Sequence, residues 1–489
     1  MLYLQARQTL PAISCFEKAI AMGEVSPNVA ALLGGHLAGK GKRERALACF
    51  LHALKFPQPA ETAAGLHAFI AHTLNDLASN DRACFEAAIE HFRQALTFAL
   101  EPKVRAKALN GLGHALAQTG RFEAAADCFV EALSVPDDPA PTAERHCNLG
   151  AALGQLGRLE EEVKCYDRAI ALAPAPLTRF NLSLAALRLG DFALGWREYE
   201  QRWGTGAPQG GSGRSFAEPL WAGGDISGRR ILLHAEQGLG DTIQFARYVP
   251  LVAARGATVS LEVQPVLKRL LSGMPGPAAV IARGEPLPEF DVQCPLLSLP
   301  LAFGTVLETI PGRIPYLKAG EEARQAWAER IGSETRLKVG LVWAGSPAHK
   351  KDRIRSVPVT SLAPLLEIPG VRFYSFQVGP RSADCGCLAP YGPLSDLSPF
   401  LTDFNETAAA LAQMDLLISV DTSVAHLGGA LGVETWVLLP AVADWRWMTG
   451  RADSPWYPGM RLFRQTARGD WPPVLEQVRE QLRDRAGRH

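Results

Sequence analysis

Three short stretches of this 489-residue chain combine residue types that could bind and move a phosphate-linked group. The first is Gly238-Leu239-Gly240-Asp241-Thr242, between the apolar run ILLHAE and the helical pattern TIQFARYVPLVAARG. Gly238 and Gly240 on a strand-to-helix turn let a ligand approach the backbone. Asp241, in the first helical turn, either caps the helix or accepts a proton from a bound hydroxyl. The full dinucleotide fingerprint is absent. The second stretch, Asp421-Thr422-Ser423-Val424-Ala425-His426, follows the strand-like DLLISV. Backbone N–H groups and hydroxyls at a helix start suit a phosphate or diphosphate, and His426 lies one turn further in. The plain alternative is a capping Asp and a core His. The third runs from Trp343-Ala344-Gly345-Ser346 through His349-Lys350-Lys351-Asp352-Arg353-Ile354-Arg355 to Pro358. Basic side chains at the carboxyl end of a strand suit a phosphate, with Arg355 and Lys350 the candidates; a solvated charged loop is the alternative. Gly238, Gly240 and Gly345 support these loops.

The elements around these stretches alternate. Residues 204–228 are rich in Gly, Ser and Pro and predict a linker. ILLHAE and ATVSLEVQ read as strands, TIQFARYVPLVAARG and PVLKRLLSGM as helices, and the unit continues through FDVQCPLLSLP. After the helix EEARQAWAERI comes a second series of strands, KVGLVWAG, VRFYSFQ, DLLISV and TWVLLP, with helices between them. The βαβ order predicts parallel sheets in two doubly wound lobes, 229–318 and 319–489. Ligands bind such sheets at the carboxyl ends of strands, where all three stretches fall.

The first 203 residues follow another rule. NLGAALGQLGRLEEEVKCYDRAIALAP and GLGHALAQTGRFEAAADCFVEALSVPD share a Leu-Gly pair, a later Leu, a turn Gly and a Cys-aromatic-x-x-Ala signature. In one copy these are Leu149, Gly150, Leu153, Gly157, Tyr166 and Ala169; in the other, Leu112, Gly113, Leu116, Gly120, Phe129 and Ala132. The set recurs at Leu33, Gly34, Leu37, Gly41, Phe50 and Ala53, and partly at Leu182, Gly190, Phe192 and Tyr199. Second helices alone are legible around Phe16 and Phe92, while 56–80 does not fit a standard spacer. A period of roughly 34 residues with small and aromatic positions predicts an all-α solenoid of paired helices over 1–203. Its Gly113 and Gly150 let helices approach, and each aromatic fills the gap to the next repeat.

Composition narrows the function classes. Lys plus Arg number 50 and Asp plus Glu 50, a balance unlike that of a dedicated nucleic-acid binder. No apolar run is long enough for a transmembrane segment, and the start lacks the plan of a secretory signal. The nine cysteines are scattered, so a reduced, cytoplasmic setting is expected. Cys385-Gly386-Cys387 has no second pair beside it, and no metal or other cofactor is expected.

Together these motifs resemble two known families. Residues 1–203 resemble the tetratricopeptide repeat. The Gly-x-Gly-Asp turn, the basic loop before Pro358 and the Asp-Thr-Ser-x-x-His helix start resemble glycosyltransferase family 9, the heptosyltransferase-type enzymes of the two-lobed GT-B fold, over about 229–485. Ser423 stands where that family usually has Gly, and the first lobe is short. The layout is similar to that of O-linked N-acetylglucosamine transferases and of bacterial enzymes that modify flagellin. The resemblance implies an inverting, metal-independent transfer from a nucleotide-sugar donor to a protein acceptor on the repeats, such as flagellin or another surface protein. Asp241 would be the general base. Arg355 or Lys350, with Asp421, Thr422, Ser423 and His426, would hold the donor. No Asp-x-Asp follows Arg229, in keeping with positive side chains and backbone replacing a metal. The rivals are a non-catalytic adaptor with a degenerate transferase domain and a transferase for lipid-linked or polysaccharide acceptors. A chain starting near Gly211 is expected to keep donor binding and lose acceptor recognition.

Overall fold

A computed structural model describes residues 26–79, 81–206, 214, 216–349 and 352–489. The repeat signature at Phe16 and the candidate Lys350 lie outside them. The chain divides into two compact units, 1–181 and 182–489.

The first unit is a helical repeat array. Its helices pair as α1 (Pro27–Gly39) with α2 (Arg43–Leu54), α3 (Ala60–Leu77) with α4 (Arg82–Leu96), α5 (Pro102–Gln118) with α6 (Phe122–Leu133), and α7 (Pro139–Gln155) with α8 (Leu159–Leu172). Close approach is the reason for Gly113: a Cβ there would sit 2.6 Å from the Phe129 ring. Gly120, at φ +88°, makes the left-handed turn between α5 and α6. The stretch that fits no standard spacer forms α3, a complete first helix. It lacks the small-residue signature because His72 meets Phe92 edge-on at 4.9 Å, where other repeats place glycine against the aromatic ring. The unit boundary falls inside α9 (Pro176–Leu189).

The second unit begins with the end of α9 and with α10 (Phe192–Tyr199), not at the linker. Phe192, Trp196 and Tyr199 are buried, and Trp196 packs against Phe245, Trp445 and Trp456 at 5.2–6.3 Å between ring centroids. The 3-10 turn Glu200–Thr205 then carries Arg202 into the interior. Arg202 bonds Glu200 Oε1 at 2.7 Å, Ser298 Oγ at 2.7 Å and Glu236 Oε2 at 3.1 Å. A chain starting near Gly211 would lose Phe192, Trp196, Tyr199, Glu200 and Arg202 from this core. The expectation that it keeps donor binding therefore meets a physical obstacle.

Two parallel sheets follow. The first has β1 (Arg230–His234), β2 (Thr258–Val263), β3 (Pro277–Ala282) and β4 (Val292–Pro295) in the order β3-β2-β1-β4. The second has β5 (Leu337–Val342), β6 (Val371–Ser375), β7 (Leu394–Asp396), β8 (Leu416–Val420), β9 (Thr435–Leu439) and β10 (Met460–Arg464) in the order β10-β9-β8-β5-β6-β7. The strand order reverses between β5 and β8, so a crevice opens beyond their carboxyl ends. Apolar β5 and β8, buried along nearly their whole length, form the core with Trp436, Phe463 and the C-terminal helix. Among the described residues, no helix is long and apolar enough to cross a membrane.

One local expectation is corrected. TIQFARYVPLVAARG is not a single amphipathic helix. It forms α11 (Leu239–Phe245), a 3-10 turn and α12 (Val249–Ala254), because Pro250 has no N–H to continue the helix. Residues 242–249 are all buried, since α11 packs against α10 and the second lobe.

Candidate active site

The turn after β1 places Gly238 as the N-cap of α11 and Asp241 at its third position. Gly238 N–H donates to Asp241 Oδ2 at 2.8 Å, so the carboxylate does cap the helix. Its other oxygen, Oδ1, faces the second lobe and pairs with Arg446. Gly240 permits the approach of the lobes, because a Cβ there would lie 2.9 Å from the His426 ring.

Across the crevice, β8 delivers Asp421 and the start of α13 (Ser423–Leu431). The Thr422 hydroxyl caps this helix by accepting the Ala425 N–H at 3.5 Å, and it lies 3.0 Å from Ser419 Oγ. His426 is buried, stacked on Trp447, with Nδ1 3.0 Å from the Tyr457 hydroxyl. Burial, helped by the nearby Arg446 charge, lowers its pKa to about 3, so the ring is neutral at pH 7. Burial, reinforced by Asp444, pushes the Asp421 carboxyl up to about 6 against the pull of Arg355 and Arg446.

The basic loop after β5 folds back through a short helical turn, Asp352–Arg355. Gly345 lets the Arg355 guanidinium lie against the backbone, a place that a side chain would fill. Buried Asp352 accepts from Ser356 Oγ at 2.8 Å and from Arg381 Nη2 at 2.9 Å, with Arg355 Nε 3.9 Å away. Arg355 Nε makes no hydrogen bond with the described residues. Gln377 closes the floor, its Oε1 accepting the Trp343 and Ala344 N–H groups at 3.2 and 2.9 Å.

These groups line one cleft of about 800 Å³. Gly238, Gly240 and Asp241 come from the first lobe; Gly345, Arg355, Asp421, Thr422, Ser423 and His426 come from the second. Sequence reasoning missed Arg381, Gln377, Asp444 and Arg446 on the same walls. The last two sit in Asp444-Trp445-Arg446-Trp447, just beyond β9, where two charges alternating with two tryptophans were the available signal. No group of three or more His, Cys, Asp or Glu with metal-binding geometry occurs among the described residues.

Comparisons with known proteins divide as the chain does. Residues 106–138 and 143–176 match the tetratricopeptide repeat model. The first unit of this chain carries tetratricopeptide repeats over 106–176. Over 340 residues the chain is 27% identical to protein FlbA of Caulobacter vibrioides, a match covering 64% of this chain and 55%, about half, of FlbA. The chain is also similar to a glycosyl transferase family 9 structure from Veillonella parvula, at 13% identity and a TM-score of 0.40, covering 53% of this chain and 91% of that one. A likeness to ADP-heptose LPS heptosyltransferase II of E. coli has 14% identity and a TM-score of 0.40, covering 53% and 99% of the two chains.

Proposed function

We propose that the chain is an inverting glycosyltransferase that moves a sugar from a nucleotide-sugar donor to a protein acceptor bound by the repeat array. The reading rests on one observation: a carboxylate on a Gly-rich turn faces a helix start and an arginine across a single cleft. The acceptor hydroxyl oxygen attacks the anomeric carbon and its proton passes to Asp241. The bond from the anomeric carbon to the phosphate oxygen breaks on the opposite face. Its electron pair leaves on the nucleotide, whose charge is met by the start of α13 at Thr422 and Ser423 and by Arg355. Neutral His426 packs the helix start in place. The array supplies the acceptor because solenoids of paired helices present a concave surface to extended chains.

The test is transfer followed by intact mass of the acceptor, with a panel of nucleotide sugars. One donor should add a single sugar mass. Asp241→Asn should slow transfer by about 100-fold or more while donor binding persists. Transfer at the wild-type rate by folded Asp241→Asn would remove Asp241 from the chemistry.

A further inference from the structure

Arg446 is the group on the cleft wall whose contacts reach furthest across the second unit. It lies in the connection between β9 and β10 of the second lobe, yet two of its three polar partners belong to α11 of the first. Nε donates to Gln244 Oε1 at 2.8 Å, Nη2 binds Asp241 Oδ1, and Nη1 donates to Asp444 Oδ1 at 2.7 Å. The guanidinium lies 4.2 Å over the Trp445 ring, which also packs against Trp196 and Tyr199 of α10. Its side chain is 10% exposed and that of Asp241 17%. A planar guanidinium held on its edge by three acceptors and on its face by an indole has one orientation.

We infer that Arg446 is the positioning residue for Asp241, so that the carboxylate is aimed for proton transfer only while the two lobes are docked. This inference rests on the reading of Asp241 as the base. The clamp has two arms. Gly238 N–H fixes Oδ2 from within the first lobe, and Arg446 fixes Oδ1 from the second. If the lobes part, the Arg446 arm is lost and the carboxylate keeps only its helix-capping bond. Proton abstraction is thereby tied to closure of the cleft around donor and acceptor, and water entering an open cleft meets no aimed base. Arg355 differs, since among the described residues it has no polar contact with the first lobe and pairs only loosely with Asp352, 3.9 Å from its Nε.

The experiment is a kinetic cycle in the full chain with Asp241→Asn, Arg446→Met and the double variant, plus Arg446→Lys. Each is read by transfer kcat, donor KM and calorimetric donor affinity. Arg446→Met should lower kcat by about 10-fold or more, while donor KM and affinity change by less than about twofold, because an interaction made for the chemical step is lost. Added to Asp241→Asn, it should change the rate by less than about twofold, since residues acting as a unit are not additive. Arg446→Lys, which can keep one bond to Asp241, should recover part of kcat and serves if the Met variant does not fold. Rate losses that multiply in the double variant, or donor affinity falling in step with kcat, would overturn the inference and make Arg446 an independent donor contact. Asp241→Asn at the wild-type rate would instead sink the base reading itself, a result legible before the double variant is made.

Discussion

Replacing Arg202 with methionine tests whether the segment after the repeats is part of the transferase core. The Arg202 side chain is 0% exposed and that of Glu236 1%. The guanidinium also stacks over Trp203 at 4.5 Å and Tyr199 at 4.9 Å. Burial pushes the Glu236 carboxyl up to about 7 against the pull of Arg202. Methionine fills similar volume but leaves Glu236 and Glu200 without their cation. Breaking a buried pair from one side costs about 3–5 kcal/mol, a large share of the roughly 5–15 kcal/mol that holds a domain folded. Without Arg202, the Glu236 carboxyl binds its proton more tightly still. The folded state then holds a proton that the unfolded chain releases, and stability falls as pH rises through neutrality. All ten tryptophans lie beyond residue 181, so tryptophan fluorescence reports the second unit alone. Urea unfolding at pH 6 and pH 8 should show Arg202→Met destabilised at both and more so at pH 8. Adding Glu236→Gln should recover part of the loss and remove most of the pH dependence. A loss below about 1 kcal/mol at pH 8 would refute the claim that Arg202 is the buried counter-charge.

Further outcomes follow from the same contacts. A chain beginning before Pro176 should bind donor as the full chain does, whereas one beginning at Gly211 should lose donor binding in calorimetry, because Trp196, Tyr199 and Arg202 leave the core with it. Asp421→Asn should flatten the pH dependence of second-unit stability between about pH 4 and 6. The raised Asp421 pKa gives a contribution fully present below about 4 and lost as pH rises through about 6, to be measured by urea unfolding. Gly345→Ala should displace the Arg355 guanidinium and weaken donor affinity in calorimetry, leaving acceptor pull-down by the repeats unchanged.

The parts legible in the sequence are those encoded at short range. Gly238-Leu239-Gly240-Asp241 and Thr422-Ser423-Val424-Ala425-His426 are strand-to-helix turns whose spacing within one or two turns fixes where side chains stand. The Gly113–Phe129 pairing shows because it recurs as Gly34–Phe50 and Gly150–Tyr166. Arg446 escaped because its partner Asp241 is 205 positions away, and no local pattern records which lobe a guanidinium will reach. β3 escaped for a different reason: PAAVIA is short and half-exposed, so its apolar residues do not alternate with polar ones. α10 carries a repeat-like spacing at Phe192 and Tyr199, which hides that its aromatic face packs on Phe245, Trp445 and Trp456.

The most direct measurement is calorimetric titration of nucleoside diphosphates and their sugar conjugates into the full chain and into Arg355→Ala. The cleft should bind one nucleotide class saturably at a single site. Removing a charge-assisted phosphate contact worth about 1.5–3 kcal/mol should weaken that binding by about 10- to 100-fold. Absence of nucleotide or nucleotide-sugar binding at millimolar concentration by the folded chain, or equal affinity in Arg355→Ala, would contradict the account.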